Sequence, residues 1–312
     1  MRYFDLHCDT MIGCYNNNKA LLKNDLHIDL TRAEYLKNYI QCFAVWIPDE
    51  IRGDAAFDYF SKVSDKFFEE IKKNCEKIMF CNETGDITKS EKKNLFGAIL
   101  TVENGSAIAG KLENIEKMSA MGVKMLTLTW NGENEIGGGI LSKNKIGLKP
   151  FGKLAVQELE KNNIVIDISH ASIELFYDVA EIAKKPFIAS HSNSIKECSN
   201  LRNLTDEQFE IIKDSGGIVG INLYRNFLND SSEKASIKDI VIHAEHFLSL
   251  GGENAVSIGG DLDGSEMPYD IKGIEYFGKI YEAFLRLNYK ESLLDKIFYS
   301  NAADFFIRNQ LL

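Results

Sequence analysis

The 312-residue sequence predicts an α/β fold, most economically a closed (β/α)8 or TIM barrel, on three observations. Short apolar runs rich in β-branched and aromatic residues recur eight times along the chain. Longer amphipathic runs separate them. No linker, low-complexity tract or composition shift interrupts the alternation, so one domain over 1–312, with extra C-terminal helices, is expected. Buried strands that alternate with helices imply a parallel sheet, because each parallel connection needs a long crossover. The length is ordinary for a single barrel.

The first strand is expected at 3–8, running into Asp5-Leu6-His7-Cys8-Asp9-Thr10, and the second at 40–47. Phe57, Phe60, Val63, Phe67 and Ile71 recur at three- and four-residue spacing, which predicts a helix over 57–77. A third strand, 95–102, ends at Glu103; a helix over 106–121 and a fourth strand, 123–130, follow. The helix 152–162 leads to a fifth strand, 164–169, ending at His170. The helix 173–184 passes through Pro186 to a sixth, 187–190, ending at His191. Thr205 opens a helix to about 214, and Gln208 three residues on completes a capping box. The seventh strand is 218–223; the helix 237–250 precedes the eighth, 255–260, which ends at Asp261. Two or three helices fill 273–312.

The net charge of -10 leaves no basic stripe to neutralise phosphates, which argues against nucleic-acid binding. No uninterrupted apolar run is long enough to span a bilayer, so no membrane partner is expected. The six cysteines form no C-x-x-C pair, and reduced thiols are the expectation. With a start that enters the fold at once, a soluble cytoplasmic protein is expected.

In such barrels chemistry sits at the C-terminal strand ends. Here those ends carry His7 and Asp9, Glu103, His170, His191 and Asp261. A lone histidine after an apolar strand is usually a hydrogen-bonded core residue. Five strands that each end in a metal-competent side chain are a different matter. His7 and Asp9, two apart, present an imidazole and a carboxylate to one spot. Each metal wants about three protein ligands plus solvent, so the set serves two metals only through a shared carboxylate. Glu103 is the natural bridge, with His7 and Asp9 on one side and His170 and His191 on the other. Asp261 then becomes the carboxylate that shuttles a proton. Its bland reading is a turn aspartate in Gly-Gly-Asp-Leu-Asp-Gly, and Asp263 is either such a turn residue or a brace for a ligand. His27-Ile28-Asp29 repeats the spacing but reads as helix capping. His243 and His246, one helical turn apart on the outer ring, read as packing or surface residues.

These motifs, in this order, resemble the renal (membrane) dipeptidase family of zinc metallopeptidases, within the amidohydrolase-like barrels. The matching stretches are Asp-Leu-His-Cys-Asp-Thr (5–10), Thr-Val-Glu-Asn-Gly (101–105) and Leu-Thr-Leu-Thr-Trp-Asn (126–131). Ile-Asp-Ile-Ser-His-Ala-Ser (166–172), Ala-Ser-His-Ser-Asn (189–193), Arg-Asn-Leu-Thr-Asp-Glu (202–207) and Ile-Gly-Gly-Asp-Leu-Asp-Gly (258–264) complete the set. The resemblance implies two Zn2+ per chain bridged by Glu103, with His7 and Asp9 on one zinc and His170 and His191 on the other. It implies hydrolysis of free dipeptides, including those with a C-terminal D-residue, by a metal-bridging hydroxide, with Asp261 as the catalytic carboxylate. Arg202 is its clamp for the substrate carboxylate, a task that suits a guanidinium fork. Tyr224 is a further candidate for that pocket, against a bland reading as packing. The alternative keeps the metals and changes the bond, to another amide, a lactam or an ester. A non-catalytic binding barrel is disfavoured, since every ligand position holds a competent side chain. A homodimer is compatible with the resemblance.

The chain departs from that family where a histidine follows Leu-Thr-Leu-Thr: here the residue is Trp130. An indole has one N–H and cannot be protonated. Trp130 and Asn131 are kept as substrate-binding candidates: Asn131 or a metal would take over the contact, or the substrate sits differently. The glycine-rich loop 131–139 reads equally as a pocket lining or as a flexible loop with no chemistry. The family's Glu-Gly-Gly is Glu-Asn-Gly at 103–105, read as a minor change.

Overall fold

The computed structural model describes residues 1–312. Its strands are β1 (Arg2–Cys8), β2 (Lys37–Trp46), β3 (Ile78–Phe80), β4 (Phe96–Glu103), β5 (Val123–Thr127), β6 (Val165–Asp167), β7 (Val219–Ile221) and β8 (Val256–Ile258). All pair in parallel, in the order β6-β5-β4-β2-β1-β8-β7, with β3 attached beside the start of β4. The ring closes through two isolated bridges, Asp167 with Ile188 and Ala189 with Val219. The segment 187–190 therefore takes the sixth seat of the barrel without forming the strand expected there.

Strands covered on both faces are apolar almost throughout, and β2 and β4 are buried over most of their length. Phe43 of β2 packs on Phe67 of the helix Asp54–Lys73, ring centroids 5.9 Å apart. Phe60, Val63 and Ile71 share that buried helix face, as their spacing predicts. A second apolar cluster joins Phe4, Ile40, Ile99, Met125 and Ile218 to Tyr299, Phe305 and Phe306 of the last helices. Those strand residues lie at or near strand starts, so the C-terminal helices plug the end of the barrel away from the strand C-termini.

The helix expected over 106–121 is two pieces, a 3-10 turn Gly105–Ile108 and a helix Glu113–Ala120. Ala109 (φ 56°) and Gly110 (φ 67°) take left-handed conformations between them. The fourth strand stops at Thr127, three residues short of Trp130. The short β3 and the helices Thr10–Asn16 and Asp86–Lys93 lack a periodic apolar pattern long enough to announce them. Thr205 does cap the helix Asp206–Asp214, with both hydrogen bonds of the capping box in place. No helix is long and apolar enough to cross a membrane.

Candidate active site

His7 stands one residue before the end of β1 and Asp9 one after it; Glu103 is the last residue of β4. His170 follows β6, His191 follows the segment 187–190, and Asp261 follows β8. Nearly fully buried, the six side chains meet at one mouth of the barrel. Glu103 lies at the centre. Its Oε2 is 3.4 Å from His7 Nε2, while its Oε1 is 2.8 Å from His170 Nε2 and 3.7 Å from His191 Nε2. His7 Nε2 is also 3.4 Å from Asp9 Oδ2. Ligand atoms of His7, Glu103 and His191 lie within 4.8 Å of one another, as do those of His7, Asp9 and Asp261. Asp261, expected to move a proton, is thus as near Asp9 and His7 as a ligand would be.

Hydrogen bonds behind the histidines set their tautomers. His170 Nδ1 is 3.0 Å from Asn131 Oδ1, an oxygen that only accepts, so the proton sits on Nδ1 and Nε2 is bare. Ser190 Oγ donates to Asp167 Oδ2 at 2.6 Å and so accepts from His191 Nδ1 at 2.7 Å, which leaves that Nε2 bare as well. The two bare nitrogens face each other at 3.0 Å. His7 Nδ1 and Nε2 and Asp9 Oδ1 are buried without any hydrogen-bond partner. Lone pairs and carboxylates gathered this closely, out of water, repel unless a cation lies among them. The donors are imidazole nitrogens and carboxylate oxygens, which suits zinc or a similar divalent ion. The residues fit a metal.

The electrostatics agree. Burial, with Asp9 and Asp261 adding to it and His7 opposing, pushes the Glu103 carboxyl up to about 7. Burial likewise pushes Asp261 up to about 6, with Asp9 raising it further against His7. Burial, then the Arg202 charge, holds His170 well below the usual histidine range; burial and His7 do the same to His191. Burial opposes a charge on His7, but Glu103 and Asp9 outweigh it and hold that imidazole well above its ordinary value. A proton on His7 does there what a metal would do.

The loop after β8 carries two of the chain's left-handed non-glycine residues. Asp261 and Asp263 take φ values of 56° and 68°, the left-handed region that costs non-glycine residues energy. A Cβ on Gly264 would sit 2.1 Å from Asp9 Oδ2 and 2.5 Å from Asp261 Oδ1, so only glycine lets the loop cover both carboxylates. Asp263 accepts from the Thr10 hydroxyl and from the His27 backbone N–H, both at 2.6 Å, while His27 Nδ1 accepts from the Asp263 N–H at 2.9 Å. It braces the neighbour of Asp9 rather than any ligand, and it occupies His27. Asp29 accepts from the Arg32 N–H at 2.8 Å, a turn-capping bond. His243 is fully buried between the Ser194 N–H and the Leu228 carbonyl, and His246 faces Glu197 and Asp206.

A cavity of about 670 Å³ opens over these groups, lined among others by Asp9, Glu103, Trp130, Asn131, His170, Tyr224 and Asp261. Asn131, expected from the sequence to meet substrate, lines the cavity with its side-chain oxygen turned to His170. The Tyr224 hydroxyl accepts from Asn226 Nδ2 at 2.5 Å. Arg202 lies behind the lining, buried over the Phe227 ring, with Nη2 3.4 Å from the His191 carbonyl and Nε and Nη1 without partners. Asn104 takes φ 84° and ties three loops together, donating to the Ile47 carbonyl and Asp49 and accepting from Asn134. The change read as minor is structural. Sequence reasoning misses Asp167, Ser190, Asn222 and Trp46. Asn222 Nδ2 donates to Asp261 Oδ2 at 3.1 Å. The available signal for Asp167 and Ser190 was a polar residue set inside an apolar run, three before His170 and next to His191.

The family model for membrane dipeptidases, peptidase family M19, matches residues 1–306. The chain belongs to the membrane dipeptidase family. It is a metallo-dipeptidase by that membership. Among solved structures, an M19 metallopeptidase called dipeptidase AC superposes with TM-score 0.93 at 23% identity, covering 100% of this chain and 99% of that one. A metallopeptidase from Rhodobacter sphaeroides, solved with a phosphinate mimic of L-Ala-D-Ala, gives TM-score 0.92 at 21% identity, with coverage of 100% and 99%. An uncharacterized protein in the pqqA 5′ region of Klebsiella pneumoniae is 27% identical over 234 residues, 72% of this chain and 86% of that protein.

Proposed function

We propose that this chain hydrolyses free dipeptides with two zinc ions, held by His7 and Asp9 on one side, His170 and His191 on the other, and Glu103 between. The observation that carries the reading is the division of Glu103: Oε2 toward His7, Oε1 toward His170 and His191. When bound, such ions polarise the scissile carbonyl and bring a water's pKa down near neutrality, the source of a bridging hydroxide. The rest falls to the chain. Asp261, pushed up to about 6 and facing the cavity, takes the proton of the attacking water and delivers it to the leaving amine. Asn222 orients that carboxylate through Oδ2. Arg202 offers Nε and Nη1 to the substrate's C-terminal carboxylate, which limits the chain to short substrates. A C-terminal D-residue is included in the range, since the Rhodobacter sphaeroides neighbour was solved with a mimic of such a dipeptide. The six unpaired cysteines suit a reducing compartment, the cytoplasm in this reading.

Metal analysis of the purified protein, alongside turnover of L,L-, L,D- and glycyl dipeptides with and without chelator, tests this. About two zinc per chain and chelator-sensitive hydrolysis are expected. A metal-saturated protein that cleaves lactams or esters but no dipeptide would overturn it.

A further inference from the structure

The chain has only two tryptophans, and both stand in the wall of the catalytic cavity. Trp46 ends β2, and Trp130 follows β5. Their rings meet edge to face at 5.0 Å and 71°, and Trp130 lies 6.3 Å from the His170 ring. The loop beyond Trp130 is folded on itself: Gly139 N donates to the Gly132 carbonyl and Leu141 N to that of Asn131, both at 2.9 Å. A Cβ on Gly139 would come 2.0 Å from the Trp130 carbonyl oxygen, so the loop packs against the very residue it positions. Trp46 Nε1 is buried with no hydrogen-bond partner, so packing alone holds this ring. Ile12, from the helix Thr10–Asn16, lines the same cavity. An imidazole at position 130 would present polar atoms; the indole presents an apolar plane.

Position in the ring says which part of a substrate meets that plane. Around the ring, β2 stands four places and β5 two from the segment 187–190 that leads to Arg202. Trp46 thus stands across the histidines and carboxylates from the segment leading to Arg202, and Trp130, with Trp46 on one side and His170 on the other, extends that apolar wall toward the reacting centre. We propose that Trp130, steadied by Trp46, selects the N-terminal residue of the dipeptide, and that the chain prefers substrates in which this residue is aromatic or large and apolar. The proposal rests on the dipeptidase reading and on Arg202 holding the C-terminal carboxylate. Aromatic side chains meeting edge to face or offset gain from geometry as well as from area buried.

The test is kcat/KM over two series at fixed zinc loading: X-Ala and Ala-X, with X as Gly, Ala, Leu, Phe and Lys. Phe-Ala should exceed Gly-Ala by about tenfold or more, with a much flatter Ala-X series. In Trp130→His and Trp130→Ala the Phe-Ala to Gly-Ala ratio should fall to within about threefold. Because the ratio compares two substrates on one preparation, lost folded or metal-loaded fraction cancels. A wild-type series without rank, a rank carried by the C-terminal residue, Lys-Ala favoured over Phe-Ala, or a ratio that survives both variants would each overturn the proposal while the dipeptidase reading stands. Failure to cleave any dipeptide would sink both. A second measurement needs no variant. All tryptophan emission comes from this wall, so titrating the holoenzyme with uncleavable phosphinate analogues of Phe-Ala and Gly-Ala reads binding directly. About tenfold tighter binding of the Phe analogue is expected; equal binding would overturn the proposal.

Discussion

Arg202 is a buried guanidinium with two nitrogens that no protein atom satisfies. Burial brings its pKa down to about 10, so it is charged at neutral pH without an anion in contact. Leaving buried donors unmade costs ~1–3 kcal/mol, which a substrate carboxylate would return on binding. Arg202→Met should therefore raise KM for free dipeptides by roughly 100-fold, and that for C-terminally amidated ones far less. Its melting temperature should be no lower than that of the wild type, since an uncompensated charge leaves the interior. Equal KM effects on both substrate types would remove the clamp role, and a large stability loss would make Arg202 a structural residue. The six groups at the strand ends are the part of the site that was legible in the sequence, because strand geometry brings such ends to one mouth whatever the loops do. Trp46 was not legible: inside Ile-Gln-Cys-Phe-Ala-Val-Trp-Ile a tryptophan looks like core. Asn131 was found, but sequence places a residue on a loop without saying which way its amide turns, so its bond to His170 was not legible.

Among the elements, the segment 187–190 shows how a barrel strand is traded for a ligand support. Ser190 gives both its backbone N–H and its hydroxyl to Asp167, at 2.9 and 2.6 Å, and so has little left for a ladder. Asp167 also accepts from the Thr127 hydroxyl and from the Ser169 backbone and hydroxyl. One carboxylate thus fixes the ends of β5, β6 and the bridge segment, and through Ser190 it orients His191. Residues that orient ligands in this way typically account for 10–100-fold in metal affinity. Ser190→Ala should bind metal at His191 weaker by about that factor in chelator competition, with most of kcat restored at saturating metal. Unchanged affinity would reduce the relay to scaffolding. A related joint lies one turn further out, where His243 Nδ1 accepts from the Ser194 N–H at 3.1 Å and Nε2 donates to the Leu228 carbonyl. Burial lowers this histidine from 6.5 to about 4, so the fold binds its neutral form. Its contribution is complete above pH 6.5 and is lost as pH falls toward 4, ~3 kcal/mol at most. The stability gap between wild type and His243→Gln in urea should accordingly shrink from pH 7 to pH 4; a constant gap would contradict the shift. Apolar periodicity revealed most of these elements. It could not reveal the break at Ala109, where a left-handed alanine carries no sequence signature.

At the scale of the molecule, the groups that hold metal and the groups that hold the fold are separate sets. The apolar clusters run between sheet and helices and across the plugged end of the barrel. The site occupies the opposite mouth, where Asp9, Glu103 and Asp261 crowd together and gain nothing from one another without a cation. Metal therefore adds stability by binding the native state alone, at RT ln(1 + [L]/Kd), ~4 kcal/mol when free zinc is about a thousand times Kd. For a chain of this size that corresponds to roughly 6 °C in melting temperature. Chelation should lower the melting point by about that amount and abolish activity, leaving far-UV and near-UV circular dichroism native at room temperature. Glu103→Gln sharpens the point. The neutral amide keeps the shape of the side chain while relieving the repulsion among three buried carboxylates. Its melting temperature should not respond to zinc, and metal-free it should lie at or above that of metal-free wild type. A metal-free wild type that loses near-UV structure, or a Glu103→Gln protein less stable than it, would mean that the cations belong to the folding core, and that catalysis and stability in this barrel cannot be separated.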